Sequence, residues 1–389
     1  MALFNAEHKR ILEIFHPDQH EEYVELLMAL GRFMDERIVP LSPKFDLHEA
    51  RIAPARRELL GNGICRIPYP KAYGGLGLPF SIYTTAIELA GAADASVAMS
   101  VAIHNTVAEG LINFGSERQK QRYLPDIISG RKLGAFSLTE PTSGSDSKSM
   151  TTRARKSGNE YIIRGSKMFI TNAGEADVYF VFAVTDAGPS SFLVDKSAPG
   201  LSFGDDLPKL GMRGSRTSEV RFVDCRVPAE NLVGEEGAGF EYAKAMLNAS
   251  RIVMGALCVG IAQVAFEKTL QYSRQRTAFG QPISEFQLIR EKIADMKTGI
   301  NAGRLLCYYA SRLKELGSDH SSEASQAKIF SSEMSLMVCD AAIQVFGGYG
   351  YTSDELHRHW RDARLLTIGE GTSEVLRMLI ARRELARTL

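Results

Sequence analysis

The sequence predicts an α+β fold in three domains: an N-terminal helical domain (residues 1–132), a middle β-sheet or barrel domain (residues 133–234) and a C-terminal four-helix bundle (residues 235–389). Three observations support this prediction. The 389 residues exceed what one compact core usually holds. Apolar residues recur at helical spacing at both ends of the chain, and short β-branched and aromatic runs lie between them. Helices, then strands, then helices favour α+β over alternating βαβ units.

Two segments predict the N-terminal helices. In EEYVELLMALGRFMDERI, Val24, Leu27, Met28 and Leu30 repeat at spacings of three and four, which predicts an amphipathic helix. The Pro/Gly loop PYPKAYGGLGLPF leads to SIYTTAIELAGAADASVAMSVAIHNTVAEGLINFG, which is apolar nearly all round and is therefore predicted to be buried. His104 lies inside this segment, and we interpret it as a structural residue.

The pattern changes near residue 133 and again near residue 235. EYIIRGSKMFITNAGEADVYFVFAVT, SSFLVDK and SEVRFVDCRVP combine strand-like runs with turn residues, which predicts a sheet. Long helical patterns return in VMGALCVGIAQVAFEKTLQYSRQR, FQLIREKIADMKTGINAGRLLCYYASRLKEL and SSEASQAKIFSSEMSLMVCDAAIQVFGG. Farther on, His357 and His359 flank Arg358, and we interpret this stretch as a polar loop rather than as a set of ligands.

Composition and missing motifs exclude several classes of protein. The 46 basic and 46 acidic residues balance, which argues against nucleic-acid binding. No run of 18 apolar residues occurs, so we predict no membrane span, and the N-terminus does not fit a secretory signal. The five cysteines show no CxxC spacing and HExxH is absent, so we predict no metal site and a reducing compartment. The dinucleotide, P-loop and GxSxG motifs are also absent.

Four stretches differ from ordinary surface. AFSLTEPTSGSD (135–146) offers hydroxyls and backbone N–H groups to a polar ring or a phosphate, with a plain domain linker as the alternative. KMFITNAG (167–174) places Phe169 and Thr171 on one face, although an ordinary amphipathic strand does the same. RQRTAFGQPISEFQ (274–287) combines an anion-binding side chain, a ring and an amide. The last stretch, 344–375, begins QVFGGYGY, where paired glycines let backbone approach a ligand, and ends LLTIGEGTSEV.

One carboxylate stands alone in the last stretch. Glu370 lies between Gly369 and Gly371, and a helix start, Thr372-Ser373-Glu374, follows it. The flanking glycines make steric room for the acid to point into a pocket. Taken alone, this position fits a catalytic base and a helix start equally well, because acids favour helix N-termini.

The combination of LTEPTSGSD, FGGYGY and EGTSEV resembles the acyl-CoA dehydrogenases, and the resemblance covers essentially the whole chain. It implies an FAD enzyme that oxidises the Cα–Cβ bond of an acyl-CoA thioester. A weaker cue, SVAIHNTVAEG, is similar to short-chain and branched-chain members. The resemblance implies a homotetramer, a dimer of dimers that shares FAD between subunits, and electron transfer to electron-transferring flavoprotein. It also implies a cytoplasmic location in a bacterium or the mitochondrial matrix in a eukaryote.

The resemblance also assigns roles to individual residues. The flavin ring lies between the β-domain and the C-terminal helices, and the pyrophosphate and adenosine reach a neighbouring subunit, with the helix N-terminus near residue 372 favouring phosphate. CoA contacts the loop 135–146 and the helix near residue 250. The residues implied for FAD are Phe136, Leu138, Thr139, Ser145, Phe169, Thr171, Arg276, Phe279, Gln287, Gln344, Gly347, Gly348, Thr372 and Glu374; those implied for the substrate are Ser145, Asn248, Arg251 and Gly371.

Glu370 matches the catalytic base of the family. Desolvation by substrate would raise the pKa of its carboxyl, and its backbone N–H would help to bind the thioester oxygen as enolate charge develops. Some relatives carry the base at the position of Ser250, which cannot serve. Gly369 replaces a common Tyr, Asn248 a common Asp and Phe169 a common Trp, and SDELHRHWRD is one residue shorter than the common form.

Two other functions are compatible with the sequence. An acyl-CoA oxidase shares the fold but is reoxidised by oxygen, and such chains are usually much longer. A non-catalytic acyl-CoA or FAD-binding protein is the other, and the retained Glu370 argues against it. The acyl chain itself is left open among straight, branched, aromatic, alicyclic and dicarboxylic acids.

Overall fold

The computed structural model describes residues 2–352 and 354–386 and confirms the α+β fold. Seven helices precede the sheet and six follow it within these residues. The first seven are α1 (Ala6–Phe15), α2 (His20–Arg37), α3 (Ser42–Asp46), α4 (Ala53–Gly61), α5 (Phe80–Ala93), α6 (Ala95–Phe114) and α7 (Glu117–Ile128). The others are α8 (Gly239–Gln275), α9 (Gln287–Glu315), α10 (Ser321–Phe346), α11 (Gly348–Thr352), α12 (Asp354–Leu365) and α13 (Ser373–Ala386).

A single large sheet occupies the middle of the chain. Its strands are β1 (Gly134–Ser137), β2 (Arg153–Ser157), β3 (Glu160–Thr171), β4 (Val178–Thr185), β5 (Gly188–Asp195), β6 (Leu201–Phe203), β7 (Thr217–Pro228) and β8 (Leu232–Val233). Among the described residues, the strand order is β6-β7-β3-β2-β4-β5-β8, with β1 paired to β4. A small hairpin, β9 (Thr277–Ala278) and β10 (Gln281–Pro282), follows α8. The domain boundaries after residues 132 and 234 remain predictions.

Strand pairing is antiparallel except at two places. β1 runs parallel to β4, with Gly134 opposite Val178, and β2 meets β4 in parallel through Arg153 and Val184. β4 is buried along almost its whole length, as expected for a strand covered on both faces. Since β1 carries the start of the AFSLTEPTSGSD stretch, its pairing with β4 anchors that loop against the helical face of the sheet.

The predicted helices form, with one correction. α2 buries Leu27 and Leu30 while Met28 stays exposed, and the long apolar segment forms the buried helices α5 and α6. His104 is structural as predicted: it is buried, its Nε2 pairs with the Ile127 carbonyl and its Nδ1 accepts from the Gly134 N–H. The polar loop predicted around His357 and His359 is wrong. Both lie in α12, and His359 is buried, because this amphipathic helix packs against α10.

Helix α8 is the central element of the helical domains and packs against α5, α6, α9 and α10. It crosses α5 at backbone contact: a Cβ on Gly260 would lie 2.1 Å from the Glu88 carbonyl oxygen, and one on Gly91 would lie 2.7 Å from the Leu257 carbonyl oxygen. At the same crossing the buried Glu88 carboxylate accepts from Arg304 of α9 at 2.7 Å. Burial alone would raise the pKa of Glu88, but Arg304 and His8 lower it to about 2.

Three helices of the described chain are long and apolar enough to cross a membrane by length and composition. They are Ala95–Phe114, Gly239–Gln275 and Ser321–Phe346. The most apolar window is 94% buried in the first two and 44% buried in the third. The apolar surfaces of the first two helices are therefore buried inside the protein.

Replacing Gly260 with alanine is expected to destabilise the protein by about 1–3 kcal/mol or more. The new methyl group would meet the backbone of α5, which cannot move aside as a flexible side chain can. The thermal unfolding midpoint measures this effect. Gly61→Ala in α4 is the matched control, since its methyl group meets no atom within 4 Å, and its midpoint should stay close to that of the parent protein. Equal midpoints for the two variants would contradict the close crossing.

Candidate active site

Glu370 lies on a strained turn between α12 and α13. Its φ is +60° and that of Gly371 is +101°, so two successive residues adopt left-handed backbone conformations. This conformation costs a residue other than glycine roughly 1–2 kcal/mol. At Gly371 a Cβ would also lie 3.1 Å from the Leu376 side chain, which makes glycine the suitable residue there. Thr372 then caps α13 by accepting from the Val375 N–H at 3.3 Å.

Two buried cations hold this turn by its carbonyl groups. Arg251 of α8 donates from Nε to the Glu370 carbonyl at 3.1 Å, and Lys328 of α10 donates to the Gly371 carbonyl at 2.7 Å. Both side chains belong to buried residues, and burial lowers the pKa of Lys328 to about 8. The turn is thus fixed from two helices of the bundle through its carbonyl groups.

The carboxylate itself is poorly solvated. Its Oε2 is inaccessible to solvent and has no hydrogen-bond partner among the described residues. Burial raises the pKa of Glu370, and the nearby Arg251, the Ser250 hydroxyl and Lys328 only partly oppose this rise. No backbone hydrogen bond within the described chain uses the N–H of Glu370. A desolvated carboxylate with a free N–H beside it can take a proton and also stabilise an adjacent oxyanion.

The loop predicted to line a flavin ring is fixed by a buried ion pair. Lys167 of β3 donates to Glu140 at 2.8 Å and to the Leu138 carbonyl at 3.0 Å, and both charged side chains are essentially inaccessible. Burial alone would raise the pKa of Glu140, but Lys167 and hydrogen bonds from Thr151 and Thr152 lower it to about 2. The pair ties the 135–146 loop to strand β3.

This pair brings the predicted ring-binding residues together. The Met168 N–H donates to the Thr139 carbonyl at 2.8 Å, so Leu138 and Thr139 lie beside the end of β3. Phe169 is 64% exposed and has a φ of +61°, at an irregularity in the β3–β7 register. Phe136 and Thr171 are half-buried on the same two segments. An exposed aromatic ring on a strained strand end, next to a rigid polar loop, is suited to a planar ligand.

A second group of predicted FAD residues lies elsewhere in the chain. Arg276, Phe279 and Gln287 are exposed, and so are Gln344 and the glycine pair, Gly347 and Gly348. Phe279 is 95% exposed, and Tyr272 stacks on Phe346 with ring centroids 3.9 Å apart. This stacking brings the segment after α8 and the end of α10 to the same end of the bundle.

Arg276 lies far along α8 from the helix residue that holds the Glu370 turn. Arg251 contacts this turn, whereas Arg276 follows the last residue of the same helix, Gln275. At 1.5 Å per residue, Arg251 and Gln275 are about 36 Å apart along the helix axis. The C-terminal end of α8 is therefore remote from Arg251.

The remaining predicted residues lie at three places: the N-terminus of α13, a loop near the start of α8, and beside Arg251. Thr372 and Glu374 border an open cleft with Arg364 and Glu333, next to the N-terminus of α13. Ser145 is exposed in a loop whose Lys148 lies over the ring of Phe240 at the start of α8. Asn248 accepts from Arg251 at 2.9 Å, so the described bonds of Arg251 orient the Glu370 turn; its predicted contact with CoA remains a prediction.

Sequence reasoning missed Lys328 and the Glu140–Lys167 pair. Lys328 carried a usable signal, because it is the only basic residue in the helix SSEASQAKIFSSEMSLMVCDAAIQVF. A lone lysine in a helix whose other residues are mostly small or apolar indicates a charge with a specific buried partner. Glu140 and Lys167 each lie inside a stretch that the sequence analysis singled out, but their pairing across 27 residues had no local signal.

The helical, sheet and helical blocks around a buried carboxylate define the class of acyl-thioester dehydrogenases. The family models for the acyl-CoA dehydrogenase N-terminal, middle and C-terminal domains match residues 20–131, 135–225 and 237–385. The chain therefore belongs to the acyl-CoA dehydrogenase family and is an FAD-dependent oxidoreductase that dehydrogenates acyl-CoA.

Individual relatives agree with this assignment over nearly their whole length. An acyl-CoA dehydrogenase of Bacillus subtilis is 42% identical over 93% of this chain and 97% of its own. The structure of butyryl-CoA dehydrogenase from Megasphaera elsdenii has a TM-score of 0.91 and 38% identity, covering 93% of this chain and 98% of its own. A chain from work on the electron transferring flavoprotein of Acidaminococcus fermentans has a TM-score of 0.92 and 38% identity, covering 94% and 98%.

Replacing Glu370 with glutamine is expected to raise the unfolding midpoint at neutral pH, because the charged carboxylate is buried without a hydrogen-bond partner at Oε2. The folded-state pKa of Glu370 is raised, so ionisation of this group opposes folding above that pKa and does so less as the pH falls. The gain in midpoint from Glu370→Gln should therefore narrow in acid. Thermal unfolding of both proteins across neutral to acidic pH measures it.

Glu374→Gln is the control, since its carboxylate is exposed in the first turn of α13 and its pKa is lowered, so its removal should not raise the midpoint. A lower midpoint for Glu370→Gln than for the parent protein at neutral pH would contradict the account of the buried charge.

Proposed function

We propose that Glu370 is the base that removes the α-proton of the acyl-CoA substrate, in an α,β-dehydrogenation that yields the 2-enoyl-CoA. The observation that carries this proposal is the carboxylate held on a rigid turn, with an oxygen that lacks both solvent and a hydrogen-bond partner among the described residues. A small cavity lined by Ser250 lies beside it, between helices α5, α6 and α8.

The geometry addresses the main difficulty of the reaction, which is the weak acidity of a thioester α-proton. Desolvation makes the Glu370 carboxylate a stronger base, since its raised pKa brings it nearer to the working pH. The unused N–H of Glu370 is suited to hydrogen bonding with the thioester oxygen as negative charge develops there. One such donor is typically worth about 10²–10³ in rate. Arg251 and Lys328 act as positioning residues, because they bond the turn and not the carboxylate.

The chain's residues fit FAD in two separate places. The 136–139 loop with Phe169 and Thr171 suits the flavin ring, and the exposed set Arg276, Phe279, Gln287, Gln344, Gly347 and Gly348 suits the pyrophosphate and adenosine. Thr372 and Glu374 lie at the N-terminus of α13, directly after the Glu370 turn, where phosphate is favoured. When bound, FAD accepts the β-hydrogen of the substrate together with its electron pair.

Because α8 extends about 36 Å from Arg251, which bonds the Glu370 turn, to the residue before Arg276, we propose that the second group serves FAD bound mainly by another subunit. The C-terminal bundle also exposes apolar side chains on consecutive turns, with Leu305 and Tyr309 on α9 and Met337 on α10. Such a surface is typical of a subunit interface. We propose a homotetramer arranged as a dimer of dimers.

We propose electron-transferring flavoprotein as the electron acceptor, supported by the close similarity to the Acidaminococcus chain named above. The bacterial relative and the five buried free cysteines support a reducing location, the cytoplasm in a bacterium or the matrix in a mitochondrion. In an oxidase, the flavin that the substrate has reduced would be reoxidised by air. In a non-catalytic binder, the flavin would not be reduced at all. One anaerobic titration followed by exposure to air therefore separates these two alternatives from the dehydrogenase.

We expect a short-chain acyl-CoA to bleach the visible flavin band of the anaerobic parent protein. Glu370→Gln should retain FAD and bind the same acyl-CoA. Its rate of flavin reduction should fall at least about 10²–10³-fold, because its amide cannot take the α-proton. Stopped-flow spectroscopy measures the rate. Glu25→Gln is the control, because its exposed carboxylate lies on α2 and has no proposed role in binding or catalysis. Near-normal reduction in Glu370→Gln would refute the assignment of the base.

Replacing Arg276 with alanine is expected to weaken FAD retention about tenfold or more, because a fixed charge would be removed from a phosphate-binding position. The flavin-to-protein ratio after dialysis measures this loss. Arg274→Ala, two residues earlier and equally exposed, is the matched control and should retain FAD. Full retention in Arg276→Ala would exclude a cofactor contact at this position.

A further inference from the structure

Two consecutive residues of α8 contact the same residue of the Glu370 turn. Arg251 donates from Nε to the Glu370 carbonyl at 3.1 Å, and the hydroxyl of Ser250 hydrogen-bonds the Glu370 carboxyl group. Ser250 is 4% exposed and Arg251 is 7% exposed, so both contacts lie inside the protein. One turn of α8 therefore holds both the backbone and the side chain of Glu370.

The hydroxyl of Ser250 differs from those of other buried serines in the helices. A serine inside a helix often donates to a carbonyl of the preceding turn. Five buried serines of this protein do so, with a carbonyl three or four residues earlier: Ser273, Ser311, Ser325, Ser332 and Ser335. In the part of the chain that the structure describes, no carbonyl accepts from Ser250. Its hydrogen is therefore available to the Glu370 carboxyl group.

Thr106 of α6 lies on the other side of the Ser250 hydroxyl. The two hydroxyl oxygens are 3.4 Å apart, and Thr106 also donates to the Ala102 carbonyl at 3.0 Å. The cavity that Thr106 and Ser250 both line has a volume of about 10 Å³, which is enough for about one water molecule. Ser250 is thus confined between α6 and the Glu370 turn, which favours one orientation of its hydroxyl.

The two oxygens of the Glu370 carboxylate are unequal. Oε2 is inaccessible to solvent and has no hydrogen-bond partner among the described residues. The bond from Ser250 therefore belongs to Oε1. A hydrogen bond to Oε1 restricts rotation of the carboxylate and satisfies part of the charge on that oxygen. Oε2 remains the oxygen that gains a bond when a proton arrives.

We propose that Ser250 is a positioning residue for the base, because its hydroxyl holds Oε1 of Glu370 and leaves Oε2 to take the α-proton. This inference rests on the proposed function and adds no step to it: the proton passes from Cα to Oε2, and Ser250 keeps its own proton. A fixed carboxylate favours the transfer, because the reacting atoms must be held about 3–3.5 Å apart and aligned.

The groups that act on the ionisation of Glu370 predict what the loss of Ser250 would do. Burial raises the pKa of the Glu370 carboxyl, whereas Arg251 of α8, the Ser250 hydroxyl and Lys328 of α10 oppose this rise. Arg251 and Lys328 also bond the carbonyls of the turn, so both cations stay in place without Ser250. Removing the hydroxyl takes one donor away from the charged carboxylate, so the pKa of Glu370 should rise further.

Replacing Ser250 with alanine is expected to move the acidic limb of the pH–rate profile to higher pH by about one unit or more, because a hydrogen bond to a charged group is lost. The profile is that of kcat/KM for flavin reduction by butyryl-CoA, measured by stopped-flow spectroscopy, which reports the pKa of the base in the free enzyme. Ser250→Thr keeps the hydroxyl and should retain the parental profile. Ser273→Ala is the matched control, since its buried hydroxyl on the same helix bonds the Leu270 carbonyl.

Thermal unfolding tests the same contact without turnover. Ser250→Ala should lower the unfolding midpoint at neutral pH, because the buried carboxylate loses a donor. The folded-state pKa of Glu370 is raised, so this loss should be largest above that pKa and should shrink as the pH falls through it, where the carboxyl is protonated in both proteins. In the Glu370→Gln background the same substitution should lower the midpoint equally at every pH.

The two measurements separate this proposal from the proposed function. An unshifted profile in Ser250→Ala, with a midpoint loss that does not depend on pH, would overturn the positioning role and leave Ser250 as a packing residue. Loss of flavin reduction in Glu370→Gln with an unshifted profile in Ser250→Ala would refute the positioning role alone. Normal flavin reduction in Glu370→Gln would refute the proposed base and its positioning together, even if the midpoint loss depended on pH.

Discussion

The contact on which the rest of the structure depends is the crossing of α5 and α8. Gly91 and Gly260 bring the two helix backbones together so closely that either added methyl group would meet a carbonyl oxygen. Glu88, whose carbonyl faces Gly260, also directs its carboxylate to Arg304 of α9. A single turn of α5 is therefore fixed to two helices of the C-terminal bundle. The cavity walls on α5, α6 and α8 take their separation from this crossing.

The Glu370 turn, in contrast to that crossing, contains features that oppose folding. A left-handed glutamate and a carboxylate oxygen without a partner both oppose folding. Arg251 and Lys328 bond the carbonyls of the turn, and the Oε2 atom of Glu370 keeps no hydrogen-bond partner among the described residues. The opposite arrangement holds at Glu140, where Lys167 and hydrogen bonds from Thr151 and Thr152 satisfy the carboxylate completely enough to lower its pKa to about 2. Glu140 is thus bonded at both oxygens of its carboxylate, whereas Glu370 keeps one carboxylate oxygen without a partner among the described residues.

The sequence predicted what local pattern determines. The helical blocks, the sheet, the helix start after Glu370 and the loop 135–146 all follow from periodicity and turn residues within short windows. It could not predict which distant groups meet. Arg251 reaches Glu370 across 119 residues and Lys328 reaches Gly371 across 43, and such pairs depend on how α8 and α10 pack. The wrong prediction of a polar loop at His359 has the same origin. The segment is rich in polar residues, but it forms a helix whose buried face packs against α10.

The length of α8 separates the residue that bonds the Glu370 turn from the exposed residues after the C-terminal end of the helix. Arg251, in the N-terminal half of α8, bonds the Glu370 turn, whereas Arg276 and Phe279 follow its C-terminal end, about 36 Å away along the axis. Phe279, almost fully exposed with a φ of +49°, is a costly residue to leave in water. The proposed oligomer would account for this exposure, because a second copy of the chain would cover the Phe279 ring.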